Sequence, residues 1–411
     1  MLTPAQTVMQ RCDALAEHSE ESDRLTRRFL SPPMQSVHRD LKTWMSEAGM
    51  SVRLDAAGNL VGRRPADVDG DAKILLMGSH LDTVPNAGKY DGMLGVLVSL
   101  AVAEAIKEDS LPFAIDIIGF SEEEGVRFSQ PYLGSRALAG SFDSRWLDRR
   151  DEAGIAMRDA ISSYGLDVDG LSDAAYDPYE VLGYIETHIE QGPVLERMGL
   201  PVAVVESIAG QSRLMVKFVG KAGHAGTTPM IPRQDALVGA ARLVEAVQKI
   251  GQASEGLRAT VGRLIVTPNA SNVIPSQVEL SLDIRHTSDP VRVDAIQKLL
   301  NLGVHIASQE GLNWEVTHRS DTGSVFASTD LVHLLSQAVI DNQVESYTMP
   351  SGAGHDAVVM AERFPMAMLF VRHPEGISHH PDERVDARDV EVAIKVLVSF
   401  IRRLAKRETS V

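Results

Sequence analysis

The chain has 411 residues, 44% hydrophobic and 23% charged, which is too long for one ordinary core, so two domains with a sizeable apolar interior are expected. A formal net charge of −16 repels phosphate backbones and anionic lipid, which argues against nucleic acid and membrane surfaces as partners and for a small-molecule substrate. The N-terminus, MLTPAQTVMQRCDALAEHSEESDRLTRR, lacks a basic start followed by an apolar run, and no window holds eighteen uncharged apolar residues, so the chain reads as cytoplasmic. Cys12 is the only cysteine, which excludes an internal disulfide and a thiolate-rich zinc site; its amphipathic setting reads as a packed hydrophobe.

Apolar runs of strand character at Lys73–Met77, Phe113–Phe120 and Val202–Ser207 alternate with helical patterns such as Gly92–Ile106. That is the rhythm of a mostly parallel sheet covered by helices on both faces. After Ile208 the texture changes. Ser212–Val219 alternates as a strand, Arg233–Ile250 reads as a helix, Arg258–Val266 and Gln277–His286 as strands, Val291–Ser308 as a helix and Trp314–His318 as a strand. This order is that of a ferredoxin-like α+β unit. Past Ser324 the first rhythm resumes with Leu331–Asp341, Phe364–Val371 and Asp386–Ala405. The sequence thus predicts an α/β protein whose discontinuous domain, residues 1–208 and 323–411, is interrupted by an inserted domain at 209–322.

Lys73–Met77 leads into Gly78-Ser79-His80-Leu81-Asp82-Thr83, and Asp91 follows in Tyr90-Asp91-Gly92, where a helix begins. In open α/β sheets ligands bind beyond the carboxyl ends of the strands, so His80 and Asp91 fall where a site belongs. Phe113–Phe120 delivers Ser121-Glu122-Glu123-Glu124-Gly125 to the same edge. Three adjacent carboxylates repel one another unless a cation compensates them; read alone, they are more often a solvated acidic loop. His188, in Thr187-His188-Ile189-Glu190-Gln191-Gly192-Pro193, and His379, in Gly376-Ile377-Ser378-His379-His380-Pro381, join the set. Any one of these histidines is more often structural than a ligand, but their joint occurrence points to metal. Imidazole and carboxylate without thiolate suit Zn²⁺, Mn²⁺, Co²⁺ or Ni²⁺. Arg285, ending the alternating strand Gln277–His286, can hold a carboxylate bidentately, or serve only as an internal ion pair. His224, in a glycine-rich loop, reads by itself as a turn residue.

The segments GSHLDT, YDG, SEEEGVRF, THIEQGP, GKAGHAGTTPM, SNVIP, DIRH, SGAGHDA and GISHHP occur in the order found in the hydantoinase/carbamoylase family of binuclear amidases. From about Arg11 to the C-terminus the chain resembles that family. The resemblance implies a metallopeptidase-like catalytic domain with an inserted ferredoxin-like lid and dimerisation domain. It implies two divalent metal ions per subunit, bridged by Asp91, one completed by His80 and His188 and the other by Glu124 and His379. Asp82 would orient the imidazole of His80, and Glu123 would act as general base, with Glu122 left open as a sharer of the acidic role. His224 would donate to the oxyanion from the other subunit of a homodimer, while Gln191, Asn272, Arg285, Gly352 and Ala353 would hold the substrate.

The implied activity is removal of a carbamoyl group from a carboxylate-bearing ureide in purine catabolism. The stretch RCDALAEHSEESDRLTRRFLSPPMQ, with AGKYDGMLG and GSRALAG, is most similar to members that cleave allantoate to ureidoglycine, ammonia and carbon dioxide. N-carbamoyl-L-amino acids are the main alternative, and ureidoglycolate and β-ureidopropionate are further ones. A related peptidase or aminoacylase is disfavoured by His188, where those enzymes generally carry a carboxylate. An inactive scaffold is disfavoured because Glu123 and every implied ligand are retained.

Overall fold

The computed structural model describes residues 2–68 and 70–409. The chain divides into two compact units, Met1–Glu206 with Phe326–Val411, and Ser207–Val325. At the centre of the larger unit's sheet four strands run parallel, in the order Ala114–Phe120, Ile74–His80, Val181–Ile189 and Met366–Val371. Leu60–Arg64 and then Ser51–Leu54 continue the sheet antiparallel on one side, and Val202–Ile208 does so on the other. Ile74–His80, Ala114–Phe120 and Met366–Val371 are buried at every residue, which is why the sequence is mostly apolar there. The carboxyl ends of the parallel strands, at His80, Phe120, Ile189 and Val371, lie along one edge of the sheet.

The helix Met93–Ala105 is apolar on all sides and almost wholly buried, packing on the strands Ile74–His80 and Val181–Ile189 and on the helices Pro4–Ala16 and Ala387–Glu408. Ala387–Glu408 shows the contrasting pattern, burying one face that includes Val390, Ala393, Ile394, Leu397, Phe400, Ile401 and Leu404. Cys12 is completely buried on Pro4–Ala16 within the same core, and burial pushes its thiol far above the ordinary range, so it is the inert hydrophobe its setting implies. Among the described residues, no helix is long and apolar enough to cross a membrane.

Two departures from the sequence expectation have a local cause. Val181–Ile189, a central strand, is missing from the expected set because Glu186, Thr187 and His188 interrupt its apolar run. The expected strand Arg258–Val266 is two strands, Arg258–Thr260 and Leu264–Thr267, both paired with Gln277–His286. Thr260 faces Asp283 and Leu264 faces Leu280, so the broken strand carries one residue more than its partner over that interval. That surplus is a bulge, held by Arg263 N donating to Ser281 Oγ and Ser281 N donating to Arg263 O.

In the smaller unit the sheet order is Leu264–Thr267, Gln277–His286, Gly210–Val219 and Asn313–Thr322, with every pairing antiparallel. Strict alternation in Gly210–Val219 and Gln277–His286 turns Leu214, Val216, Phe218, Val278, Leu280 and Leu282 into one core with the helices Ala236–Ala253 and Asp289–Glu310. This is the ferredoxin-like arrangement. Asn313–Thr322 forms the edge and is mostly exposed.

Candidate metal centre and substrate residues

Four successive strand ends and the loops behind them deliver the chemistry. His80 closes Ile74–His80, Glu122–Glu124 follow Ala114–Phe120, His188 lies near the end of Val181–Ile189, and His379 lies in the loop after Met366–Val371. Asp91 precedes the helix Met93–Ala105 by one glycine. Gly92 has φ +71°, and a Cβ there would lie 2.5 Å from the His80 ring, so only glycine lets the helix start this close to the imidazole.

Asp91 stands at the middle. Its Oδ1 is 3.0 Å from His188 Nε2 and 3.6 Å from His80 Nε2, while its Oδ2 is 3.0 Å from His379 Nε2. His379 Nε2 is also 3.5 Å from Glu124 Oε1. Three groups of ligand-type atoms result, each within 4.8 Å: His80 with Asp91 and His188, His80 with Glu123 and Glu124, and Asp91 with Glu124 and His379. Burial opposes ionisation of Asp91, yet its contacts with His188, His379 and His80 hold the carboxyl well below the usual range. Glu123 shifts the other way, raised well above the usual range by burial and by the charge of Glu124.

The arrangement fits divalent metal. His80 Nδ1 lies 2.9 Å from the Asp82 carbonyl and His188 Nδ1 lies 2.9 Å from the Ile189 carbonyl. A carbonyl accepts only from N–H, so both Nδ1 atoms carry a proton, and Nε2 is left as the ring atom that can ligate a metal. Ring orientation and tautomer are thereby set as a metal site requires.

The remaining acidic residues separate by partner. Both oxygens of Asp82 accept backbone N–H groups, Oδ1 from Glu123 at 2.9 Å and Oδ2 from Glu124 at 3.1 Å, while Oδ1 is 3.6 Å from His80 Nδ1. Its closer engagement is with the acidic loop. Glu122 is fully buried at φ +50°, accepting from Phe29 N at 3.2 Å and Arg127 N at 2.8 Å, and burial followed by the charge of Asp82 pushes its carboxyl up to about 8. Its oxygens tie loops together and belong to none of the three ligand groups.

Gln191, also at positive φ, donates from Nε2 to Asp91 Oδ2 at 3.1 Å and to Ser378 Oγ at 3.0 Å. In the Gly352–Ala353 loop, Ser351 Oγ accepts from Ala353 N, and His355 Nε2 lies 2.9 Å from Ser351 Oγ. The buried His355 ring packs edge-on behind His188 with centroids 4.5 Å apart. In the smaller unit His224 is exposed on Gly223–His224, paired with Val273–Ile274, and Ala225 N donates to the Asn272 carbonyl at 2.9 Å, so His224 and Asn272 are neighbours. Arg285 donates from Nε and Nη2 to the two Asp283 oxygens, each at 2.8 Å, the internal ion pair that its strand position also allows.

Sequence reasoning missed the buried partners that hold this edge. Glu186 accepts from Ser79 Oγ at 3.0 Å and Ala357 N at 2.9 Å, and Glu383 reaches the backbone of Asp91. The only sequence signal for either is a carboxylate close to a candidate histidine.

Histidine and carboxylate groups gathered at the carboxyl edge of a parallel sheet form a candidate metal centre. The model of peptidase family M20/M25/M40 matches residues 76–403. Allantoate deiminase 2 of Glycine max is 37% identical over 427 residues, covering 95% of this chain and 88% of that protein. An N-carbamoyl-L-amino acid amidohydrolase of Geobacillus stearothermophilus is 37% identical over 368 residues, covering 89% and 90%. The crystal structure of a hydantoinase/carbamoylase family amidase from Burkholderia multivorans superposes with a TM-score of 0.90 at 30% identity, covering 98% of both chains. The chain belongs to peptidase family M20/M25/M40 and, within it, to the hydantoinase/carbamoylase amidases. It is an enzyme, a hydrolase acting on non-peptide C–N bonds.

Proposed function

We propose that the protein hydrolyses the carbamoyl C–N bond of a carboxylate-bearing ureide, allantoate first among them, giving ureidoglycine, ammonia and carbon dioxide from one water. The observation that carries this reading is Asp91, which presents one oxygen to His80 and His188 and the other towards His379 and Glu124, beside the buried Glu123. His80 and His188 would hold one divalent ion, Glu124 and His379 a second, with Asp91 shared. Bound there, such ions supply Lewis acidity towards the ureido carbonyl and lower the pKa of water. Glu123, buried beside these residues, takes a proton from the attacking water and returns it to the leaving nitrogen. Asp82 aligns Glu123 and Glu124 through their backbone N–H groups. Arg285 takes the substrate carboxylate in a bidentate grip, Gln191, Asn272, Gly352 and Ala353 line the ureide, and His224, supplied by the partner of a homodimer, stabilises the oxyanion.

N-carbamoyl-L-amino acids are the second reading, supported by an amidohydrolase of that name as similar to this chain as the allantoate deiminase. Ammonia release from allantoate, N-carbamoyl-L-amino acids and N-carbamoyl-β-alanine, compared side by side with added Mn²⁺, separates them. Allantoate should have the highest kcat/KM. A higher value on an N-carbamoyl-L-amino acid would replace the first reading by the second, and turnover of none would remove both.

A further inference from the structure

Glu383 lies four residues beyond His379, in a turn where its own N–H donates to the His380 carbonyl. Its side chain crosses to the other half of the centre. Oε1 accepts from Tyr90 N at 2.8 Å and from Asp91 N at 3.0 Å. Gly88 makes room for this reach, since a Cβ there would lie 2.3 Å from Glu383 Cβ and 2.5 Å from Oε1. The carboxyl is buried, and Oε2 has no hydrogen-bond partner among the described residues. A buried carboxyl with one oxygen unpartnered is costly, so what the side chain contributes lies in the reach of its partnered oxygen, which an apolar core residue could not supply.

The contacts close a ring. Asp91 N is tied to Glu383 Oε1, the turn leads from Glu383 back to His379, and His379 Nε2 returns to Asp91 Oδ2 at 3.0 Å. His80 and His188 need no such device, because each sits on a central strand of the sheet, His80 paired with Phe120 and His188 with Phe370. His379 sits on a loop. We propose that Glu383 is a positioning residue that fixes Asp91 relative to His379, so that the half of the centre built on a loop holds its divalent ion as firmly as the half built on strands. This rests on the metal reading above.

The test separates reach from charge. Glu383→Asp keeps the charge but withdraws the oxygen by about 1.5 Å, one carbon–carbon bond; Glu383→Gln keeps the reach and an accepting oxygen but loses the charge. Each protein is stripped with chelator and titrated with Zn²⁺ in competition with a chromophoric chelator, and the metal-free forms are melted in parallel. Glu383→Asp should bind one of the two ions ~10- to 100-fold more weakly, with the other unaffected. Glu383→Gln should bind both within about threefold of wild type and melt like wild type without metal. Wild-type affinity in the Asp variant, equal loss in both variants, or loss in the Gln variant alone overturns the proposal. If the Asp variant does not fold, the Gln variant decides, its retained binding supporting the role and its loss refuting it. Wild-type protein that takes up no Zn²⁺ removes the metal reading itself and the positioning role with it.

Discussion

Replacing Asp82 by Asn probes how the acidic loop is aligned, with almost no change in side-chain volume. Asp82 is completely buried, and its two oxygens each accept one backbone N–H, from Glu123 and from Glu124. Asparagine keeps one acceptor and turns an NH₂ group towards the other N–H. One charge-assisted hydrogen bond worth about 1.5–3 kcal/mol is lost, and a donor now faces a donor at a completely buried position. The loop relieves this by shifting, and displacement by about 1 Å of groups that must meet a reacting carbon costs roughly 10²-fold. We expect kcat/KM to fall ~10²- to 10³-fold, about 3–4 kcal/mol of transition-state stabilisation. The assay is steady-state ammonia release at saturating Mn²⁺, with bound metal and melting temperature measured on the same samples. If instead the carboxylate serves chiefly to orient His80, metal affinity should drop while kcat at saturating metal stays near wild type. Activity within about threefold of wild type, with metal bound normally, would refute both roles.

Glu123→Gln should lower kcat roughly 10²- to 10⁴-fold with metal retained, whereas Glu122→Gln should leave kcat within about tenfold because its oxygens serve the backbone of Phe29 and Arg127; the reverse order would move the base to Glu122. Arg285→Lys should raise KM selectively for substrates bearing a carboxylate, and equal losses on a carboxylate-free ureide would reassign Arg285 to its ion pair with Asp283. Mixing inactive Glu123→Gln with inactive His224→Ala protein should restore activity as subunits exchange, and silence after demonstrated exchange would exclude a shared site. The His38 imidazole, lowered from 6.5 to about 4 by burial and then by the charge of Arg27, stays neutral in the folded protein while the unfolded chain protonates below pH 6.5. Its contribution is therefore complete above pH 6.5 and lost as pH falls towards 4, a difference of about 3 kcal/mol that His38→Gln should remove from denaturant-unfolding curves; an unchanged acid slope would contradict it.

Local pattern made much of this protein legible. Apolar runs such as Phe113–Phe120 and the alternation of Gln277–His286 reflect burial on two faces or on one, a property of neighbouring residues that survives in the sequence. They put His80, Asp91 and Glu122–Glu124 at strand ends and separated an α/β unit from a ferredoxin-like one. Val181–Ile189 was illegible for the converse reason: its buried Glu186 and His188 are tolerated only because Ser79, Ala357 and Asp91, from other parts of the chain, meet them. The same holds at the centre. Sequence by itself determined which residue types arrive at the sheet edge and in what order. Only the tertiary structure decided that Asp91 divides its oxygens between two sets of imidazoles, that Asp82 grips the Glu123–Glu124 backbone, that Glu122 turns away to Phe29 and Arg127, and that Glu383 reaches back to Asp91. All of these but the Glu122–Arg127 bond are contacts between segments remote in the chain, and a hydrogen bond's partner is chosen by distance in space, which no spacing along the backbone encodes.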